Sequence, residues 1–204
     1  MEITAIPIPI ENEGPLPSPN EVLYWELKDK RAYWIDYEID EGYALLTLAK
    51  ELIRLNIEEA NIANPKPVTL YIHSYGGDLD QSQFLCDLIE SSHIPVITVA
   101  TGVAMSAGLL IFLSGKRRYA FKHSTLLIHQ GSASFSGTAD EIESAQKAYK
   151  RKLDKMKRYI ISHTAVNEKL FEKNKSKDWY VSGDELISLG IADKIVEKFS
   201  DIKL

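Results

Sequence analysis

The chain has 204 residues, 45% of them hydrophobic, which suits one domain of ordinary size with a continuous core rather than two independent ones. Its 24 basic and 29 acidic side chains give a formal charge of −5 and are interspersed except for one basic stretch, Lys147 to Arg158, so nothing asks for nucleic acid. The single cysteine, Cys86, excludes an internal disulfide and fits a reducing compartment, and the histidines and cysteine lack metal-ligand spacing, so no metal or other cofactor is expected.

Residues 1–21 hold Pro7, Pro9, Pro15, Pro17 and Pro19 and read as an extended N-terminal arm, leaving 22–204 as a single domain. The arm begins apolar, but the prolines interrupt it and it has no basic leader, so it reads as neither signal peptide nor membrane span. Ala32 to Ile39 is rich in aromatic and β-branched residues and predicts a strand. Gly42 to Glu59 carries Leu45, Leu48, Leu52, Ile53 and Leu55 at helical spacing. Val68 to His73 is a second strand, Asp78 to Ser91 a helix in which Cys86 packs as a small hydrophobe, and Pro95 to Ala100 a third strand that leads into the segment around Ser106.

An apolar helix through Phe112 follows, then a turn at Ser114-Gly115, short strands at Arg118–Phe121 and Thr125–His129, and a small-residue stretch from Gly131 to Gly137. Thr138-Ala-Asp-Glu141 is a capping-box pattern that opens a long helix to about Thr164, whose basic stretch reads as a solvated or subunit-facing side. A second such pattern, Ser182-Gly-Asp-Glu185, opens a short helix that Gly190 ends, and Ile191 to Val196 is the last strand. Strands alternating with helices imply parallel crossover units, hence an α/β fold, and no repeat period is present.

The chemistry gathers at two places. Ser106 sits among small residues in Gly102-Val-Ala-Met-Ser-Ala-Gly108 at a strand-to-helix junction, and His129 arrives later at the end of an apolar run, Leu127-Ile-His-Gln130. Taken alone, Ser106 is a common helix-cap residue. Paired with a histidine it is how an activated nucleophile is built, which points to hydrolysis. Acyl transfer also needs donors for the oxygen of a tetrahedral intermediate, and His73-Ser-Tyr-Gly-Gly-Asp78, between a strand and a helix, offers backbone amides at a sharp turn. Asp178, in a loop between helical regions, is a candidate to orient the imidazole, with Asp140, Asp184 and Asp193 as others.

Tyr71-Ile-His-Ser-Tyr-Gly-Gly77, Ala104-Met-Ser-Ala-Gly108, Gly115-Lys-Arg117, Leu127-Ile-His-Gln130 and the run from Asp178 to Asp193 resemble, in one order, the proteolytic subunit of the Clp protease, ClpP. The resemblance runs from about Arg31 to Val196. It implies a ClpP/crotonase-type fold: a superhelix of repeated ββα units, with the helix at about 138–164 projecting as a handle. It makes Ser106 the nucleophile, His129 the general base and acid, and Asp178 the orienting carboxylate, with the N–H groups of Gly77 and Ala107 as the oxyanion hole. The spacings of 29 residues from Gly77 to Ser106 and 49 from His129 to Asp178 fit the family, whereas the 23 from Ser106 to His129 are slightly fewer than its usual pattern.

By the same resemblance the protein is a cytoplasmic serine endopeptidase. It would hydrolyse unfolded protein or peptide inside a homo-oligomer, a heptameric ring or two stacked rings, with a AAA+ ATPase as partner. The chain has no phosphate-binding loop of its own, so ATP would belong to that partner, and neither nucleic acid nor membrane is expected. Tyr75 stands where the family usually has Pro, Ala107 where it has Met, and Gly131 to Gly137 replaces its Pro-Leu-Gly-Gly strand. Three alternatives stay open at this level: a phage-type head maturation protease, a crotonase-fold acyl-CoA enzyme, and a non-catalytic ring subunit.

Overall fold

The computed structural model describes residues 16–203. Most of the expected arm, residues 1–15, lies outside them. Its end differs from expectation: helix α1 (Pro19–Asp29) begins inside the proline-rich stretch. Pro19 occupies the first helical turn, where a missing N–H is harmless, and Ser18 and Glu21 form a reciprocal capping box. Proline therefore starts this helix.

Strand β1 (Ala32–Ile35) is shorter than expected. Ile39, the end of the predicted strand, instead makes a lone parallel bridge to Gly77. Helix α2 (Tyr43–Glu58) buries Leu45, Leu48, Leu52 and Leu55, one stripe of its surface. Strand β2 (Val68–Ser74) and helix α3 (Leu79–Ser91) follow, with Asp78 capping α3 through Gln81 N. Strand β3 runs from Val96 to Met105, five residues beyond the expected Ala100, directly to Ser106. Helix α4 (Ala107–Leu113) is buried over its whole length, which explains why it has no polar face in the sequence.

Strands β4 (Arg117–Phe121) and β5 (Thr125–Ile128) precede the long helix α5 (Ala139–His163), whose capping box at Thr138 and Glu141 forms as expected. Helix α6 (Glu168–Asn174) and strand β6 (Trp179–Ser182) were not legible in the sequence; Asp178, expected in a loop, stands immediately before β6. Helix α7 (Asp184–Ser188) starts from Gly183 without a side-chain cap, so the pattern at Ser182 and Glu185 does not form its box. Strand β7 (Lys194–Val196) closes the sheet.

The seven strands form one sheet of order β1-β2-β3-β4-β7, with β5 joined to β3 and β6 to β5. All pairings are parallel except β5 with β6. The length of β3 lets it serve two neighbours: Ile97–Ala100 pairs with β4, and Val103–Met105 pairs with β5. Between the two halves its register against β2 slips, with Ile72 opposite Ala100 but Ser74 opposite Ala104. The sheet packs against α2, α3 and α4 in one large apolar core that also takes in Met156 and Ile160 of α5 and Phe171 of α6.

That packing corrects the expectation for α5. A helix projecting as a handle could bury its apolar positions (Ile142, Ala145, Tyr149, Leu153, Met156, Ile160) only against another subunit. Met156 and Ile160 are buried in their own chain and Leu153 packs against the core, so only the N-terminal half of the helix lacks a buried residue. The basic stretch on α5 is partly neutralised: Lys152 pairs with Asp80, and Lys157 with both Glu168 and Glu172. Among the described residues no helix is long and apolar enough to cross a membrane, and no cluster of His, Cys, Asp or Glu has the makings of a metal site.

Candidate active site

Ser106 is the hinge between β3 and α4. Its φ of 53° and ψ of −120° lie where an L side chain is strained, and it is one of only two non-glycine residues at positive φ among those described. Such a turn swings the hydroxyl out of the strand direction at the head of a helix. The Ser106 N–H donates to Leu127 O at 3.1 Å, tying the turn to β5 two residues before His129.

The Gly76-Gly77 turn lies against this hinge. A Cβ added to Gly76 would stand 2.8 Å from Ser106 Cβ and 3.1 Å from Ala107 N, so only glycine permits so close an approach. The turn is pinned on both sides, because Ile39 N donates to Gly76 O at 2.8 Å and Asp78 N to Ile39 O at 2.6 Å. The buried Ser74 adds support: its hydroxyl donates to Tyr37 O and accepts from Gly76 N. Neither bridge bond uses the Gly77 N–H, and Ala107, first residue of α4, has no carbonyl one turn back to receive its own.

The histidine and aspartate come together through the one antiparallel pairing. Ile128 faces Trp179 across β5 and β6, so the next pair in that register is His129 with Asp178. Their side chains meet at 3.4 Å between Nδ1 and Oδ1. Asp178 is 58% exposed, whereas His129 Nε2 is buried and has no hydrogen-bond partner. Ser106 and His129 line a common cavity of about 430 Å³ together with Gly77. Two larger cavities, of about 690 and 730 Å³, are lined with aromatic side chains and contain neither residue, so size does not mark the site here.

The Clp protease family model matches residues 20–199. This chain belongs to the Clp protease family. It is 31% identical over 157 residues to the ATP-dependent Clp protease proteolytic subunit 2 of Treponema denticola, covering 76% of this chain and 78% of that one. It is 27% identical over 178 residues, 86% of each chain, to the proteolytic subunit of Dehalococcoides mccartyi. Among solved structures, a ClpP1 mutant from Listeria monocytogenes superimposes with a TM-score of 0.76 at 26% identity, covering 89% of this chain and 99% of the other. The fold is that of ClpP and the protein is a serine-type peptidase.

Of the four acids weighed for this Clp-family peptidase, Asp178 is the one paired with His129. Asp193 instead accepts from Arg118 N, and Asp140 and Asp184 sit in the first turns of α5 and α7. Three contributors escaped sequence reasoning: Tyr149, Lys152 and Met156, all on α5 and all lining the cavity. Their spacing of three and four residues puts them on one side of the helix, but Lys152 belongs to the basic stretch that reads as a solvated or subunit-facing side. The Tyr149 hydroxyl donates to Gln130 O at 3.1 Å and so braces the backbone next to His129.

Proposed function

We propose that this Clp-family peptidase cuts peptide bonds with Ser106 as nucleophile, His129 as general base and then acid, and Asp178 as the group that orients the ring. The single observation that carries the reading is the strained Ser106 turn sharing a cavity with His129, whose other ring nitrogen faces Asp178. His129 Nε2 takes the hydroxyl proton as Ser106 Oγ attacks the scissile carbonyl, and the C–O bond formed gives a tetrahedral oxyanion. The Gly77 and Ala107 N–H groups, which donate to no other backbone carbonyl in the turn, are the donors assigned to that charge. His129 then gives its proton to the leaving amine, and the acyl-enzyme is hydrolysed by water through the same steps in reverse order. Asp178 stabilises the imidazolium, and the Ser106–Nε2 hydrogen bond closes when a peptide fills the cavity.

The working form is a homo-oligomeric ring, heptameric and stacked in pairs, acting in the cytoplasm on unfolded chains delivered by a AAA+ ATPase. The relatives' printed names, ATP-dependent Clp protease proteolytic subunits, support the ATPase partnership. Exposed apolar side chains on α1 and α2, such as Leu23, Trp25, Ile53 and Ile57, support subunit contacts, as does the unburied first half of α5. Labelling with a fluorophosphonate tests the chemistry: wild type takes up one label per chain at Ser106, and Ser106→Ala takes up none. A well-folded protein that neither labels nor cleaves a fluorogenic peptide would overturn the assignment, and a monomer by native mass would overturn the ring.

A further inference from the structure

The cavity holding Ser106 and His129 extends to the inner side of α5, where Tyr149, Lys152 and Met156 stack along one stripe of the helix. Its wall is mixed. Met156 is 3% exposed, and Leu79, first residue of α3, also lines the cavity, so part of the surface is apolar. Beside Met156 stands Lys152, whose Nζ pairs with Asp80 Oδ2 of α3. An ammonium carries three donors, and Asp80 takes one. The Tyr149 hydroxyl spends its proton on Gln130 O, which leaves its oxygen able to accept, and Tyr149 lines the same cavity.

Charge decides which side chain suits this wall. Asp80, which does not itself line the cavity, offsets Lys152, and Asp78, the one carboxylate among the lining residues, accepts from Gln81 N at the head of α3. A glutamate entering here therefore meets like charge on the wall, which disfavours it against an uncharged side chain of the same length. A leucine fills the apolar part but covers the spare Lys152 donors with nothing to accept from them. A glutamine has an unbranched stem for Met156 and Leu79, a carbonyl to accept from Lys152, and an NH₂ to donate to the Tyr149 oxygen.

We propose that Lys152, held in place by Asp80, is a specificity-determining residue that selects a long side chain ending in an uncharged carboxamide at the residue whose carbonyl is attacked. This rests on the assignment of Ser106 and His129 given above. The decisive experiment measures kcat/KM and Tm on the assembled protein, with fluorogenic peptides that differ only in glutamine, glutamate or leucine before the cleaved bond. Wild type is expected to favour glutamine over leucine about tenfold, the scale of one hydrogen bond to a charged donor. Lys152→Met should reverse that ratio and Lys152→Arg, which keeps a cationic donor, should restore it. Asp80→Asn removes a negative charge and should raise glutamate relative to glutamine about tenfold.

A flat preference in wild type, abolished for every peptide by Ser106→Ala, overturns the specificity inference and leaves the peptidase assignment standing. A uniform loss across the panel in Lys152→Met, with a lower Tm, makes the ion pair a packing device and also overturns it. Should Lys152→Met fail to fold, the glutamate-to-glutamine ratio of Asp80→Asn decides. Absence of all cleavage, or cleavage that survives Ser106→Ala, removes the catalytic assignment and the inference with it.

Discussion

Replacing Gly76 with alanine asks whether the glycine turn and the serine hinge are held as one unit. Gly76 has a φ of +106°, a region that strains an L residue by about 1–3 kcal/mol. The added Cβ would stand 2.7 Å from Met105 O and 2.8 Å from Ser106 Cβ, and neither atom ends a flexible side chain, so the backbone itself must shift. In a domain of this size each kcal/mol lowers Tm by about 2–4 °C, giving a fall of roughly 2–12 °C from strain alone. The shift also carries the Gly77 N–H out of line with that of Ala107, and losing one oxyanion donor lowers kcat about 10²- to 10³-fold.

Gly183→Ala is the matched control: its φ is +55°, but no atom lies within 4 Å of the added Cβ. It should lower Tm by a similar few degrees from strain and leave kcat/KM within about twofold. Thermal unfolding and hydrolysis of one fluorogenic peptide, with fluorophosphonate labelling rates, read both variants. Wild-type activity in Gly76→Ala, or an equal loss of activity in Gly183→Ala, would refute the claim that close packing of the turn on Ser106 sets the rate.

Ser106→Ala should lower kcat on the order of 10⁵- to 10⁶-fold with the fold intact, measured by burst-free peptide hydrolysis. Ser106→Gly should be equally inactive yet raise Tm by about 2–4 °C relative to Ser106→Ala, because the strain at φ 53° is relieved by about 1 kcal/mol. Asp178→Asn should cost less than the loss of Ser106, on the order of 10²- to 10⁴-fold in kcat, since the exposed carboxylate orients an imidazole that is otherwise still present. Glu51 is held below the ordinary carboxylate value of 4.5 by hydrogen bonds from Arg54, then by Lys28. A lowered folded value means that its stabilisation is fully present above that ordinary value and is lost as pH falls through the folded one. Glu51→Gln should therefore lower stability by about 1–3 kcal/mol at pH 7 and flatten the acid limb of a Tm-against-pH curve below about pH 4.5.

Much of the architecture was legible because it rests on local patterns. The leucine stripe of α2, the capping box of α5 and the buried run of α4 each declare themselves within one or two turns of chain. Elements without such signals were missed: α6 buries only Phe171, and β6 is four residues long. Proline misled at Pro19, where it begins a helix rather than excluding one. At the site, Ser106, His129 and the glycine turn stood out by residue type and order. Lys152 did not, since a lysine in a basic stretch gives no hint of the aspartate it meets 72 residues away.

The sequence by itself determined that strands and helices alternate, which faces are apolar, and which few residues have nucleophilic or basic chemistry to offer. Periodicity does this because burial acts on neighbours three or four positions apart in a helix and two apart in a strand. What the tertiary structure alone decided is that β3 is long enough to pair with both β4 and β5, and that β6 runs antiparallel beside β5. Those pairings bring Ser106 against the Gly76 turn and His129 opposite Asp178. Register between distant segments is set by backbone hydrogen bonds and the fit of whole buried faces, and no single stretch of chain contains that information.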